Sequence, residues 1–357
     1  MRKPLTICLV ASLLIAAGGG APTRVVAQPL TQVRMSIDED PIVVRLAASL
    51  GYFRMEGLEV VPVDLEKIAG QDYLMQEPLI NGQIDASYHW FNHTIFGARH
   101  GFPIQGVMVF NDAPGMTVMI ANRLKDQVHG AADFRARHVA EGAGYGTKAV
   151  ITGYLAHLAG LPKHAYTPVM VASEGRQQAV LDGLKRGEVD VMTFQEPLTS
   201  VLRQSGMVTT LYDLNSGEST AKVLGASFPA QSLLTSPAYI LAHPDTVQHL
   251  VNAFVRAMRY VNTHDPDQIA AQLPADYFKG KERRAAVEYI RDTLPTYAKG
   301  DYSFSPAAAK VVVDAIQLSD FDQSHEGQWR ATGDTSKVHV EDLYTNRFVD
   351  VAMKNIK

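Results

Sequence analysis

The sequence predicts an α/β protein of two similar lobes facing each other across a cleft. Strand-like and helix-like stretches alternate from residue 33 to about residue 235. A joint in which a helix ends at glycine, one polar residue follows and an apolar-Asp-apolar strand begins occurs twice, as Gly82-Gln83-Ile84-Asp85 and Gly187-Glu188-Val189-Asp190. Each copy leads into a polar loop, through Tyr88-His89-Trp90-Phe91-Asn92 in one half and Phe194-Gln195-Glu196 in the other. One such joint is generic in α/β proteins; two of them point to duplicated lobes.

The elements follow in order. Residues 33–37 alternate apolar with polar and read as the first strand. The loop Asp38-Glu39-Asp40-Pro41 suits a helix start, with carboxylates to cap N–H groups and Pro41 in the first turn. Ile42, Val43, Leu46, Ala47 and Leu50 recur at helical spacing until Gly51. Strands are expected at 58–63, 84–88 and 104–110, with helices at 72–81 and 92–100 that end at Gly82 and Gly101. Residues 116–120 read as a strand crossing between lobes. In the second half, strands are expected at 137–140, 167–171, 189–194 and 208–212. Helices are expected at 148–159, 176–186 and 197–204, the first preceded by a glycine-rich turn, Gly142 to Thr147. Residues 232–241 read as a return strand, and helices at 247–263, 283–294 and 306–318 close the chain.

Residues 1–27 are expected to be a secretory signal peptide. Arg2 and Lys3 precede an apolar run at 5–17, and Val25-Val26-Ala27 suits signal peptidase. The run falls short of the ~20 residues that a bilayer span requires. The single cysteine, Cys8, lies inside this segment. Leu5-Thr6-Ile7-Cys8 formally resembles a lipoprotein box, but its apolar core follows the cysteine instead of preceding it. Cleavage would leave no disulfide and no thiol chemistry. It would also remove Arg2, Lys3 and Arg24 and no acid, so 33 basic residues become 30 against 37 acidic ones and net charge falls from −4 to −7. An acidic exported chain argues against nucleic acid as a partner.

Several phrases together resemble a known family: Leu50-Gly51-Tyr52-Phe53 with Glu56-Gly57-Leu58-Glu59-Val60, Arg99-His100-Gly101-Phe102-Pro103-Ile104, Glu196-Pro197 after the second joint, and Ala242-His243-Pro244 before Ala253-Phe254. The chain is similar to periplasmic substrate-binding proteins of ABC importers, in the branch of nitrate, taurine, aliphatic-sulfonate and thiamine-pyrimidine-precursor binders. The resemblance implies type II periplasmic-binding-protein architecture: two doubly wound lobes joined by two crossing strands, with ligand between them. It places lobe 1 at 31–117 plus 235–357 and lobe 2 at 118–234. It also implies a soluble periplasmic monomer that hands a small molecule to ABC permease subunits. A yeast enzyme of thiamine precursor synthesis in this branch uses a cysteine-rich motif, which is absent here. Methionine binders carry a Gln-His-Pro loop after an equivalent Ile-Asp-Ala strand; here that loop is Tyr88-His89-Trp90-Phe91-Asn92-His93, a departure that leaves the ligand open.

The candidate ligand contacts lie after strands, where open α/β sheets bind. Tyr88, His89 and Trp90 read as a stacking wall with a hydrogen-bond handle, against the plainer reading of core packing. Asn92 is expected to cap a helix whose N–H groups face the site. In the glycine-rich turn, Gly144, Tyr145 and Thr147 are expected to cradle a ligand group, though a plain surface turn fits too. Its glycine spacing matches no nucleotide loop. Glu196 suits a ligand amine or ring N–H if buried and a helix cap if exposed; Asp38 and Asp40 carry the same ambiguity. His89 and His93 lack a third His or Cys at suitable spacing, so no metal and no cofactor is expected. The acidic groups favour a small organic solute with an amino or heterocyclic group, and the family adds sulfonate-like anions. The pattern contains no nucleophile elbow and no zinc-protease motif, so an enzyme is not expected. An exported ligand sensor remains the alternative to import.

Overall fold

The computed structural model describes residues 29–37, 40–69, 75–142, 146–171, 175–280, 282–319 and 325–356. The expected signal peptide, Asp38, Gly144 and Tyr145 lie outside them. Four strands come from the first part of the chain: β1 (Thr31–Ile37), β2 (Leu58–Val63), β3 (Ala86–Trp90) and β4 (Gln105–Val109). The middle supplies β5 (Met116–Ala121), β6 (His138–Ala140), β7 (Thr167–Val169), β8 (Val191–Gln195) and β9 (Val208–Leu214), and β10 (Gln231–Thr235) returns. They form two five-stranded sheets, ordered β2-β1-β3-β10-β4 and β7-β6-β8-β5-β9. Within each sheet one strand runs against its neighbours, β10 between β3 and β4 and β5 between β8 and β9. Each is the strand entered after the chain crosses between sheets. The two crossings pair with each other, Phe228 N–H donating to Asp112 O (2.9 Å) and Ala230 N–H to Asn111 O (2.8 Å). This is the expected fold class: two α/β lobes joined by crossing segments.

The repeated joint has a physical cause. Gly82 (φ 68°) and Gly187 (φ 76°) sit in the left-handed region that ends each helix without a Cβ penalty. The aspartate three residues on then locks its strand to the next one. Asp85 N–H donates to Arg34 O (2.8 Å), and its Oδ2 accepts from Arg34 N–H (2.7 Å). In the second lobe Asp190 N–H donates to His138 O (2.8 Å), and its Oδ2 accepts from His138 N–H (2.8 Å). A guanidinium completes each, Arg34 on Asp85 and Arg123 on Asp190, both at 2.6 Å. Both locks precede β3 and β8, at the opposite ends of these strands from the polar loops.

Alternation along β5 shows how the second sheet is packed. Val118 and Ile120 enter a core shared with the first lobe, while Met119 and Ala121 enter a separate core under helix Arg176–Arg186. The shared core continues through helices Ile42–Ser49, Thr147–Leu158, Pro244–Thr263 and Pro306–Leu318. Among the described residues no helix is long and apolar enough to cross a membrane.

Three local expectations are corrected. The return strand stops at Thr235, because Ser236 Oγ accepts from Tyr239 N–H (3.1 Å) and Pro237 opens helix Pro237–Ala242. Tyr239-Ile240-Leu241 is therefore helical. Asp40 caps no helix: Ile42–Ser49 begins at Pro41 without a side-chain cap, and the Asp40 carboxylate takes Arg45 Nε at 2.6 Å. Asn92 does not cap its helix either, since Phe91 occupies the N-cap position and Asn92 is already the first helical residue.

Candidate functional site

A cleft opens where β3 and β8 end, floored by the crossing segment through Asn111, Ala113, Pro114 and Gly115. From the first lobe come Tyr88 and Asp40; from the second come Gln195, Glu196 and Asn215. The C-terminal helical segment closes it with Tyr289, Asp292, Thr293 and Thr296. Tyr88 stacks on Phe110 (4.8 Å between centroids) and aims its hydroxyl at Asn111 Oδ1 (3.2 Å). The Asn111 amide donates in turn to Thr296 Oγ1 (2.7 Å). The Gln195 amide donates to Pro114 O (3.2 Å) while its oxygen accepts from Lys148 Nζ (3.1 Å). Aromatic, amide and hydroxyl groups are thus held by one another before any solute arrives.

Three carboxylates, Asp40, Glu196 and Asp292, line this cleft. Glu196 has a side chain only 7% exposed, bound by Arg203 and by the Ser200 N–H (3.0 Å). Burial alone would raise its pKa, but the Thr199, Ser200 and Arg203 side chains together outweigh burial and hold it below the ordinary carboxylate value. Across the cleft, Ser200 Oγ reaches Asp292 Oδ2 at 3.5 Å. Partial desolvation and then the Glu196 charge push Asp292 up. On the crossing segment, Asp112 is pushed up to about 6 by burial, opposed by Lys299 and by a bond from the Gly217 N–H. Its Oδ1 is buried with no hydrogen-bond partner, and a Cβ on Gly217 would lie 2.4 Å from its Oδ2.

A second feature joins the lobes directly. Asn92 and Thr147 are the first residues of helices Asn92–His100 and Thr147–Leu158, and neither helix is capped by its N-cap side chain. Asn92 Nδ2 approaches Thr147 Oγ1 at 3.5 Å across the lobe boundary. Asn92 is 2% exposed, and its Oδ1 has no partner. Two helix starts, each a source of positive potential, therefore converge beside Lys148 and Gln195.

Of the expected contacts, Asp40, Tyr88 and Glu196 line the cleft together, and Asn92 and Thr147 meet beside it. His89 and Trp90 are not in the lining. His89 Nδ1 accepts from Trp90 N–H (2.8 Å) and its ring tilts on His93 (4.2 Å), while Trp90 packs against the shared core. The residue of β3 that lines the cleft with Glu196 is Tyr88. Sequence reasoning missed Asn111, Gln195, Tyr289, Asp292 and Thr296. For Gln195 a signal existed, its place beside Glu196 at the end of the repeated unit.

Paired sheets, crossing segments and an interlobe cleft define a class: the two-lobed α/β architecture of periplasmic binding proteins. The chain belongs to the NMT1-like family, whose model matches residues 34–275. The alkanesulfonate-binding protein SsuA of Xanthomonas axonopodis pv. citri, bound to MOPS, is 17% identical with a TM-score of 0.60, over 90% of this chain and 100% of that one. The periplasmic nitrate-binding protein NrtA of Synechocystis PCC 6803 is 12% identical with a TM-score of 0.61, over 92% and 89%. The desulfurization enzyme DSZB is 11% identical with a TM-score of 0.57, over 92% and 100%. At these identities the likeness is one of fold. No curated protein sequence matches the chain.

Proposed function

We propose that this protein is the exported solute-binding component of an ABC-type importer, catching a small organic solute between its lobes and presenting the closed form to a membrane permease. The observation that carries the reading is the cleft itself: Tyr88 and Asn111 on one side, Gln195 and Glu196 on the other, over the crossing segments. Contacts from both lobes exist together only when the lobes are closed, so a solute that uses both shifts the open–closed balance. Proteins of the same fold include an alkanesulfonate-binding protein and a periplasmic nitrate-binding protein, which supports the role and, through the second, the compartment.

The chemistry of the walls narrows the solute. Glu196, Asp40 and Asp292 suit an amino or ring N–H group, and the helix starts at Asn92 and Thr147, with Lys148 near, suit an acidic or strongly accepting group. Asn92 Oδ1, buried and unpartnered, adds an acceptor for a solute N–H or O–H. A thermal-shift and calorimetric panel of amino acids, aminosulfonates, alkanesulfonates, nitrate and pyrimidine precursors tests the proposal. One saturable solute with one site per chain is expected; no binding across the panel, or turnover of a bound compound, counts against it.

A further inference from the structure

The wall that the C-terminal segment gives to the cleft has one chemistry. Tyr289, Asp292 and Thr293 follow at i, i+3 and i+4, so they share one face of helix Arg283–Thr293, and all three line the cleft. They close that helix, at the negative end of its dipole. Arg291 of the same turn lines a different groove, with Arg284 and Glu288. The cleft thus receives a carboxylate, a phenol ring and a negative helix end from one element. Tyr88 and Tyr297 add further rings to the lining, and an aromatic face attracts a cation. The helix lies beyond residue 275, where the family match ends.

The groups already at this wall leave it short of positive charge. Arg45 is shared by two carboxylates, Asp40 (2.6 Å) and Asp276 (3.0 Å), and Arg203 is taken by Glu196. Asp292 forms no ion pair among the described residues; its contact is Ser200 Oγ at 3.5 Å. That contact sets it close to Glu196, whose carboxylate accepts from the Ser200 N–H (3.0 Å). The two negative groups oppose each other. After partial desolvation, the Glu196 charge is what pushes Asp292 up, more strongly than Arg203 or Arg291 draws it down. A cation set against both would remove that opposition, whereas a sulfonate or nitrate group there would add a further like charge.

We propose that the solute carries a positively charged nitrogen, an ammonium, an amidinium or a protonated ring nitrogen, seated against Asp292 and Glu196 with Tyr289 beside it. Asp292 is then the residue that selects such a solute over an uncharged or purely anionic analogue. Any acidic group of the same solute belongs at the other pole of the cleft, beside Thr147 and Lys148. This selectivity rests on the cleft being the solute site, and it narrows the small organic solute to a cationic or zwitterionic one.

Titration calorimetry on matched pairs tests it: taurine against isethionate, β-alanine against 3-hydroxypropionate, and putrescine against butanediol, each exchanging ammonium for hydroxyl. In at least one pair the ammonium member is expected to bind at least tenfold more tightly than its hydroxyl counterpart. Asp292 is exposed, so Asp292→Asn should melt as wild type does. It is expected to lower the affinity of the ammonium member at least tenfold and that of the hydroxyl member less than twofold. Glu288→Gln removes the same charge from the same helix outside the cleft and is expected to shift neither by twofold. An equal loss in both variants would assign the effect to the general field of the helix and overturns selection by Asp292. So does a folded Asp292→Asn that keeps the preference. Binding of hydroxyl members, alkanesulfonates or nitrate alone overturns the cationic solute and leaves the cleft as a solute site; no binding by any probe overturns both.

Discussion

Removing the Asp190 carboxylate, and separately that of Asp85, tests whether the two lobes are built on one repeated lock. In Asp190→Ala the His138 N–H loses its acceptor and the Arg123 guanidinium loses a 2.6 Å partner. The donor is only partly buried, so its loss costs the lower part of the ~1–3 kcal/mol of a buried unsatisfied group, and a charge-assisted bond contributes about 1.5–3. Arg123 is 39% exposed and regains water, so the guanidinium share is discounted and the total comes to about 2–3 kcal/mol. Asp85→Ala loses the equivalent Arg34 N–H bond and guanidinium pair and should cost about the same. Asp190→Asn keeps an acceptor for His138 and should cost about half as much. Urea denaturation at pH 7, followed by far-ultraviolet circular dichroism, reads the difference. A loss below about 1 kcal/mol in both alanine variants would refute the argument, because the N–H groups would then have found other partners. Acid adds a second check. Burial raises the Asp190 pKa, but the His138 N–H and Arg123 bonds outweigh it and hold the group below its ordinary value. The stabilisation is thus complete above the unfolded pKa near ~3.9 and is lost as pH falls through the lower folded value. The difference between wild type and Asp190→Ala should shrink as pH falls below about 3.9.

Three further outcomes are expected. Asp112, with its carboxyl raised to about 6, destabilises the folded form at neutral pH, so wild-type stability should rise as pH falls from 7 through 6 toward 4; Asp112→Asn should remove that slope in thermal melts. Trp90→Ala should lower stability by about 2 kcal/mol, less than the 3–5 of a fully buried aromatic, while solute affinity falls less than threefold in calorimetry. Asn92→Leu removes an unpartnered buried oxygen and one long bond, so melting should stay close to wild type or rise while solute affinity drops tenfold or more.

Punctuation made much of the fold legible. Helices Arg176–Arg186 and Pro306–Leu318 lie where glycine or proline marks their ends, and the Gly-x-apolar-Asp joints mark equivalent places in the two sheets. The return strand was over-extended because Tyr239-Ile240-Leu241 is as β-prone as Leu233-Leu234; one Ser-Pro pair decides for helix. Asn92 failed as a cap by one residue, a shift that periodicity does not resolve. Within the cleft, Tyr88 and Glu196 were reachable because they follow the repeated joint. Tyr289, Asp292 and Thr296 were not: they belong to the C-terminal helical segment, and nothing local tells such a segment which cleft it will close. Trp90 shows the converse, an aromatic in the expected loop that packs on the core.

A crystal structure of the protein with the tightest solute from the panel tests the central claim most directly. The account predicts the solute between Tyr88 and Asn111 on one side and Gln195 and Glu196 on the other, with Asn92 and Thr147 still adjacent. A solute bound elsewhere, with this cleft filled by water alone, would contradict it.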